Sequence, residues 1–212
     1  MFNPESLFWR IISRGVDIVG LSLLWAALSL PIITCGPATS ALYYTIVKSF
    51  RQGERDTFHI YWDSFKANLK QGMVLSLISA VLLFALAYGY SVMKANWSTS
   101  LGQVMFVTYD ILLVVPLGTL CYMFPMQGRF ELPTNILFVN SFILAMKHIF
   151  TTVILTLLMV EACVVTAEYW WPIFFLPVLC AFAASLFLEK IFTKYLSDDQ
   201  KQKFENKQDD IL

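Results

Sequence analysis

Long apolar blocks broken by short polar turns organise this chain. Predominantly apolar stretches cover about Val16–Cys35, Gln71–Met93, Gln103–Met126 and His148–Ala167, and a fifth runs from the Glu168–Pro172 turn to Leu188. Each is near the ~20 residues that an α-helix needs to cross hydrocarbon. Between the first two lies a shorter apolar element, Pro37–Phe50, which meets Lys48 after eleven uncharged residues. That length predicts either a tilted or thinned crossing or a re-entrant arm. Pro37 suits a first helical turn, where its missing N–H costs nothing. Pro31, Thr34, Gly36 and Pro37 thus frame a tight hairpin between two apolar helices.

Two other segments carry a single apolar face. Phe58, Tyr61, Trp62, Phe65 and Leu69 recur at helical spacing while Asp63, Lys66 and Lys70 point elsewhere. They predict a cytoplasmic amphipathic helix over about 56–70, capped by Asp56 or Thr57. Phe2, Leu7, Phe8, Ile11 and Ile12 share a face within 1–15, with Arg10 and Arg14 elsewhere, as in a helix lying at a membrane interface. Beyond the Gln103–Met126 block, Gly128, Arg129, Glu131 and Pro133 predict a turn, followed by a short helix over Ile136–Met146. From Glu189 the chain turns polar, so residues 1–196 read as one membrane-embedded domain and 197–212 as a disordered cytoplasmic tail.

Composition agrees with the pattern: 58% of the 212 residues are apolar, 14% are charged, and the mean hydropathy is +0.64. Soluble domains sit near ~45–50% apolar and ~25% charged. The net charge of zero supplies no basic field for nucleic acid. Arg10 and Arg14 ahead of an apolar run resemble a signal peptide, but the run is long and another apolar segment follows at once, so an uncleaved first span is expected. Positive charge orients the spans. With six crossings, fourteen Lys and Arg lie inside and only Lys94 outside; if the Pro37–Phe50 helix does not cross, the split becomes twelve to three. The bias toward positive residues inside favours six spans with both termini cytoplasmic. Tyr169, Trp170 and Trp171 then form an interfacial aromatic cluster.

Three stretches resemble a known family. Ser22-Leu23-Leu24-Trp25 followed by Leu30-Pro31-Ile32-Ile33-Thr34-Cys35-Gly36-Pro37-Ala38 and Ala41-Leu42-Tyr43 is similar to the opening signature of the YesL family, a bacterial membrane domain of unknown function numbered 624. Trp62–Gln71 and Tyr122–Phe130 resemble two further segments of that family. Ser22 stands where the family usually has Asn, and Cys35 replaces an aliphatic residue. The resemblance implies a multi-pass protein of the bacterial plasma membrane, often encoded beside carbohydrate-uptake genes. It thereby implies an accessory role beside the permease or ATPase subunits of a sugar ABC importer. The chain itself has neither a permease-type coupling loop nor a phosphate-binding Gly-rich loop.

Candidate chemistry is sparse. Asp110 and Glu161 are the two acids well inside apolar blocks, where ionisable groups are costly and commonly mark a functional path. They sit at similar depth and without a Lys or Arg at that level. Sharing a proton, lining a polar cavity, or bonding separately to hydroxyls such as Thr108, Tyr109 and Thr166 are all open to them. The Phe58–Leu69 face is a candidate partner-docking surface as well as a helix resting on lipid. Cys35, Cys121, Cys163 and Cys180, with His59 and His148, lack the spacing of a metal site, and no catalytic set or cofactor loop stands out. The expectation is an all-α, six-span, non-enzymatic accessory protein in the bilayer. The alternatives are a small transporter or channel, or a membrane scaffold or sensor. Association of the chain with itself stays open.

Overall fold

The computed structural model describes residues 4–195, with backbone alone for 4–11, 13 and 195. Seven α-helices account for nearly all of it: α1 (Pro4–Ser29), α2 (Cys35–Thr45), α3 (Thr57–Ala95), α4 (Ser100–Arg129), α5 (Thr134–Lys147), α6 (Ile149–Glu168) and α7 (Leu176–Tyr195). α2 is prolonged by a π-helical turn, Ile46–Arg51, and short 3-10 turns cover Ile32–Thr34 and Trp171–Phe174.

Helix breaks fall where backbone chemistry demands them, and several differ from the apolar pattern. The expected interfacial helix and first span are one continuous helix, α1, which stops at Ser29 and not at Cys35. Pro31 causes the stop: it disfavours helical geometry in the residue before it and is itself extended (φ −76°, ψ 122°). The Thr34 hydroxyl then closes the turn on the carbonyls of Leu28 (2.6 Å) and Pro31 (2.9 Å). The shared face expected over 1–15 lies mostly outside the described side chains.

The amphipathic segment 56–70 and the span 71–93 are likewise a single 39-residue helix. Nothing between Lys70 and Gly72 breaks helical hydrogen bonding, so a change from mixed to apolar surface leaves the backbone undisturbed. At ~1.5 Å per residue α3 is about 58 Å long, well beyond the ~30 Å of a hydrocarbon core. α4 runs through Pro116 and Pro125 to Arg129, past the turn expected at Gly128.

α2 was expected to be a marginal element and is the centre of the molecule. Gly36, Pro37, Ala38, Ser40, Ala41, Leu42, Tyr43 and Thr45 are all buried, and burial continues through Ile46, Val47, Lys48 and Ser49. It packs against α1, α3, α4 and α7. Small residues permit this by letting helix backbones approach closely. A Cβ on Gly72 of α3 would stand 2.7–2.8 Å from the Pro37 ring, and one on Gly36 2.8 Å from the Gly72 carbonyl. The Gly36 N–H donates to Ser76 Oγ (2.8 Å), fastening the start of α2 to α3.

Burial is uneven along the helices. No residue of α3 after Ser79, of α4 between Gly102 and Gly118, or of α6 after Thr156 is buried. The later part of α3 and the early part of α4 form an arm whose members pair with each other. Tyr109 donates to the Leu86 carbonyl (2.8 Å), and Phe106 packs on Tyr90 and Trp97 (ring centroids 5.2 and 5.1 Å). α6 crosses α4 at its root, with Thr152 against Gly118 and Cys121 Sγ 3.7 Å from Met159 Sδ.

Among the described residues four helices, α3, α4, α6 and α7, are long and apolar enough to cross a membrane, and α5 is a shorter apolar helix. The protein is therefore an all-helical bundle with the surface of a membrane protein.

Candidate functional site

The most concentrated polar chemistry lies where α2, α4 and α7 meet. Tyr43 donates from its hydroxyl to Glu189 Oε1 (3.0 Å), and Arg129 donates from Nη2 to Glu189 Oε2 (2.8 Å). The two charged side chains are 6% and 10% exposed. Phe192 walls the cluster, its ring edge-on to both Tyr43 and Phe130 (centroids 6.4 and 5.5 Å). Nearby, Arg51 donates to the Ser185 carbonyl of α7 (2.6 Å), and Lys48 pairs with Glu54 (3.1 Å). Arg14 of α1 donates to the carbonyl and hydroxyl of Ser49 (3.1 Å each) while its guanidinium lies 5.2 Å from the Phe50 ring centre. Removing charge from water is costly unless it is paired and hydrogen-bonded, and here both carboxylate oxygens of Glu189 are engaged. The arrangement ties helices together.

Glu189 corrects the expectation of a polar tail beginning there. The helical apolar repeat runs from Leu188 before it to Ile191 and Phe192 after it, all buried, so the residue sits inside α7. That repeat was the available signal. Tyr43 and Arg129 were visible only as motif letters, and each needed a buried partner from far along the chain.

A second set of contacts joins the same motif stretches. Ser40 donates to Gln127 Oε1 (2.7 Å), Gln127 Nε2 donates to the Asn68 carbonyl (3.2 Å), and Gln71 Nε2 donates to the Leu132 carbonyl (2.6 Å). The three stretches singled out in the sequence thus converge on one another.

Asp110 and Glu161 behave differently. Both are exposed on the bundle surface, and neither hydrogen-bonds or pairs with the other or with any described residue. The hydroxyls offered to them are taken by their own helices or a neighbour's backbone: Thr108 bonds to Val104, Thr166 to Ala162 and Tyr109 to Leu86. Glu161 lines a shallow groove of about 300 Å³ between α6 and α7, with Ile154, Leu157, Leu158, Ala162, Val165, Leu176 and Cys180. Asp110 is not among the lining residues. An acid at the centre of a membrane helix costs about 2.5–3.5 kcal/mol on insertion scales, so this exposure asks for a partner.

The aromatic face of early α3 is split. Tyr61 and Phe65 are buried against α1 and α2, and Tyr61 reaches the Ala38 carbonyl (3.3 Å). They are internal contacts and not free docking residues. Leu69 is half-buried beside them, while Phe58 and Trp62 are about 44% and 43% exposed. Phe58 covers Gly20 of α1, and Lys66 lies over the Trp62 ring (5.8 Å). Pro31 and Thr34 shape the hairpin turn, whereas Gly36 and Pro37 are buried packing residues.

His59 pairs with Asp63 on the exposed face (3.0 Å). Partial burial, with Lys147 and Lys194 nearby, holds the His148 imidazole below its ordinary range. All four cysteines are free, and among the described residues no group of three or more His, Cys, Asp or Glu is placed to hold a metal ion.

The fold and its apolar surface define the class, a helical membrane protein. Residues 18–90 match the model of the family described as protein of unknown function, DUF624, the family that the hairpin motif resembles. No curated protein and no solved structure matches the chain.

Proposed function

We propose that this protein is a non-enzymatic membrane accessory that acts by binding other membrane proteins, with a carbohydrate ABC importer as its partner. One observation supports the reading above others. The polar residues of the motif stretches are engaged within the bundle, Ser40 with Gln127, Tyr43 and Arg129 with Glu189 of α7, and the Gly36 N–H with Ser76 of α3. Such residues build a scaffold, and what the scaffold offers outward is apolar helix surface with isolated polar points. The importer itself is suggested by the family resemblance alone. On this reading the positively charged end, with Arg14, Arg51 and Arg129, faces the cytoplasm of a bacterial cell.

Purification from its native membrane in mild detergent is expected to bring the permease subunits of a carbohydrate importer with it. Recovery of the protein alone, at normal importer abundance, would overturn the partnership.

The Glu161 groove favours a second reading, a small transporter whose polar path includes Asp110 and Glu161. On that reading Asp110→Asn and Glu161→Gln abolish uptake of a carbohydrate by vesicles containing the purified protein. Because neither side chain bonds to or pairs with any described residue, the two variants should melt no lower than the wild type. Uptake that survives both changes removes the transporter reading. Phe58 and Trp62, exposed at the charged end, are the points at which a scaffold or sensor role would be sought.

A further inference from the structure

The chain treats its acids in two ways. Glu189 and Glu54 are each paired with a cation of this same chain, Arg129 and Lys48. Glu161 is not, although it stands in the middle of α6, seven residues before the helix ends at Glu168, about 10 Å from that end. Its surroundings are a groove of about 300 Å³ walled by Leu157, Leu158, Val165 and Leu176. A shallow apolar trough along two helices, with one carboxylate in its wall, matches the profile of another helix that carries one cationic side chain. A phospholipid chain would fill the trough and leave the carboxylate unanswered. Among the described residues a second copy of this chain offers no free cation there: Lys94 lies in the last turn of α3, and Arg14, Lys48, Arg51 and Arg129 are engaged with Ser49, Glu54, Ser185 and Glu189.

We propose that the α6–α7 groove is the docking site for a transmembrane helix of a partner protein, which places a lysine or arginine against Glu161. Ala162 and Cys180 are the small residues that let the partner approach. The cation supplies the charge-assisted hydrogen bond that no described residue of this chain supplies. A partner helix here presupposes the accessory function proposed above and adds to it the chemistry by which the partner is recognised.

The test uses the full-length protein in lipid nanodiscs and two synthetic transmembrane peptides, one of leucine and alanine alone and one with a single central lysine. Binding is read by energy transfer between labelled peptide and labelled protein. The lysine peptide is expected to bind about fivefold to thirtyfold tighter than the apolar one, the range of polar contacts between model membrane peptides. Glu161→Gln should erase that preference. Ala162→Trp, which fills the groove and leaves the carboxylate in place, should weaken both peptides. Equal binding of the two peptides overturns the proposal, as does a lysine preference that persists in Glu161→Gln. Self-association of the protein through α6 and α7 that excludes both peptides overturns it in favour of a dimer. No importer subunit enters the assay, so a negative result here leaves the co-purification experiment to stand or fall by itself.

Discussion

Arg129→Ala is expected to destabilise this protein by about 3–5 kcal/mol, because it leaves the Glu189 carboxylate buried with its cation gone. The pair is inaccessible enough for that figure to apply, with side chains 6% and 10% exposed and an N–O distance of 2.8 Å. Glu189→Ala strands the guanidinium in turn, and it also removes the acceptor of the Tyr43 hydroxyl. Tyr43→Phe should cost less, about 1.5–3 kcal/mol, since one hydrogen bond to the Glu189 carboxylate is lost while its cation stays in place. The informative variant is the double one. Arg129→Met with Glu189→Leu removes both charges at similar volume and should recover most of the loss, as buried ion pairs replaced by apolar residues often do. Thermal unfolding in a mild detergent measures all four. Single variants that melt with the wild type would show that the cluster does not hold α2, α4 and α7 together.

The second large effect concerns the close approach of α2 and α3. Gly72→Ala should cost about 1–3 kcal/mol, the usual range for overpacking. Its new methyl would sit 2.7–2.8 Å from Pro37, whose ring and backbone cannot swing aside. Gly36→Ala meets the Gly72 carbonyl at 2.8 Å and the Phe124 ring at 2.7 Å, and it also presses on the Ser76 hydroxyl that receives the Gly36 N–H. Gly15 is the control. A Cβ there meets nothing within 4 Å, so Gly15→Ala in α1 should stabilise by about 0.5–1 kcal/mol through helix propensity. If Gly72→Ala and Gly15→Ala melt alike, the two helices stand farther apart than described.

Much of the architecture was legible in the chain, for physical reasons that can be named. Apolar blocks of near-membrane length predict α3, α4, α6 and α7, because each block is a helix whose outer surface is largely apolar. Pro31 marked the end of α1 through its backbone geometry, although the apolar pattern alone carried that helix on to Cys35. What escaped was whatever depends on contacts between distant segments. The division at Lys70–Gln71 followed surface polarity, and a helix backbone does not register surface polarity, so α3 continues through it. The importance of α2 was hidden by its length: eleven uncharged residues look marginal for a span, but small side chains at Gly36, Ala38, Ser40 and Ala41 make it the most enclosed element. The same limit applied to the site. Asp110 and Glu161 were conspicuous because they interrupt apolar blocks, and the groove between α6 and α7 is lined by Glu161 and not by Asp110. Glu189 was inconspicuous because it stands beside Lys190 at what looked like the start of a polar tail, though its carboxylate is buried between Tyr43 and Arg129.

The separation between Tyr43 and Glu189 has a consequence for biogenesis. The two residues lie 146 positions apart in sequence, and Arg129, between them, precedes Glu189 by 60. At a synthesis rate of about 5–20 residues per second, α2 emerges on the order of ten seconds before the helix that completes its burial. Through that interval the nascent chain holds Lys48 and Arg51 on a helix that is not yet enclosed, and Arg129 waits for its carboxylate through the last several seconds of it. The central helix is thus made early and seated late. A ribosome stalled before codon 189, or a chain cut within α7, would leave a complete set of early helices with an unfilled centre, the kind of product that membrane quality control removes.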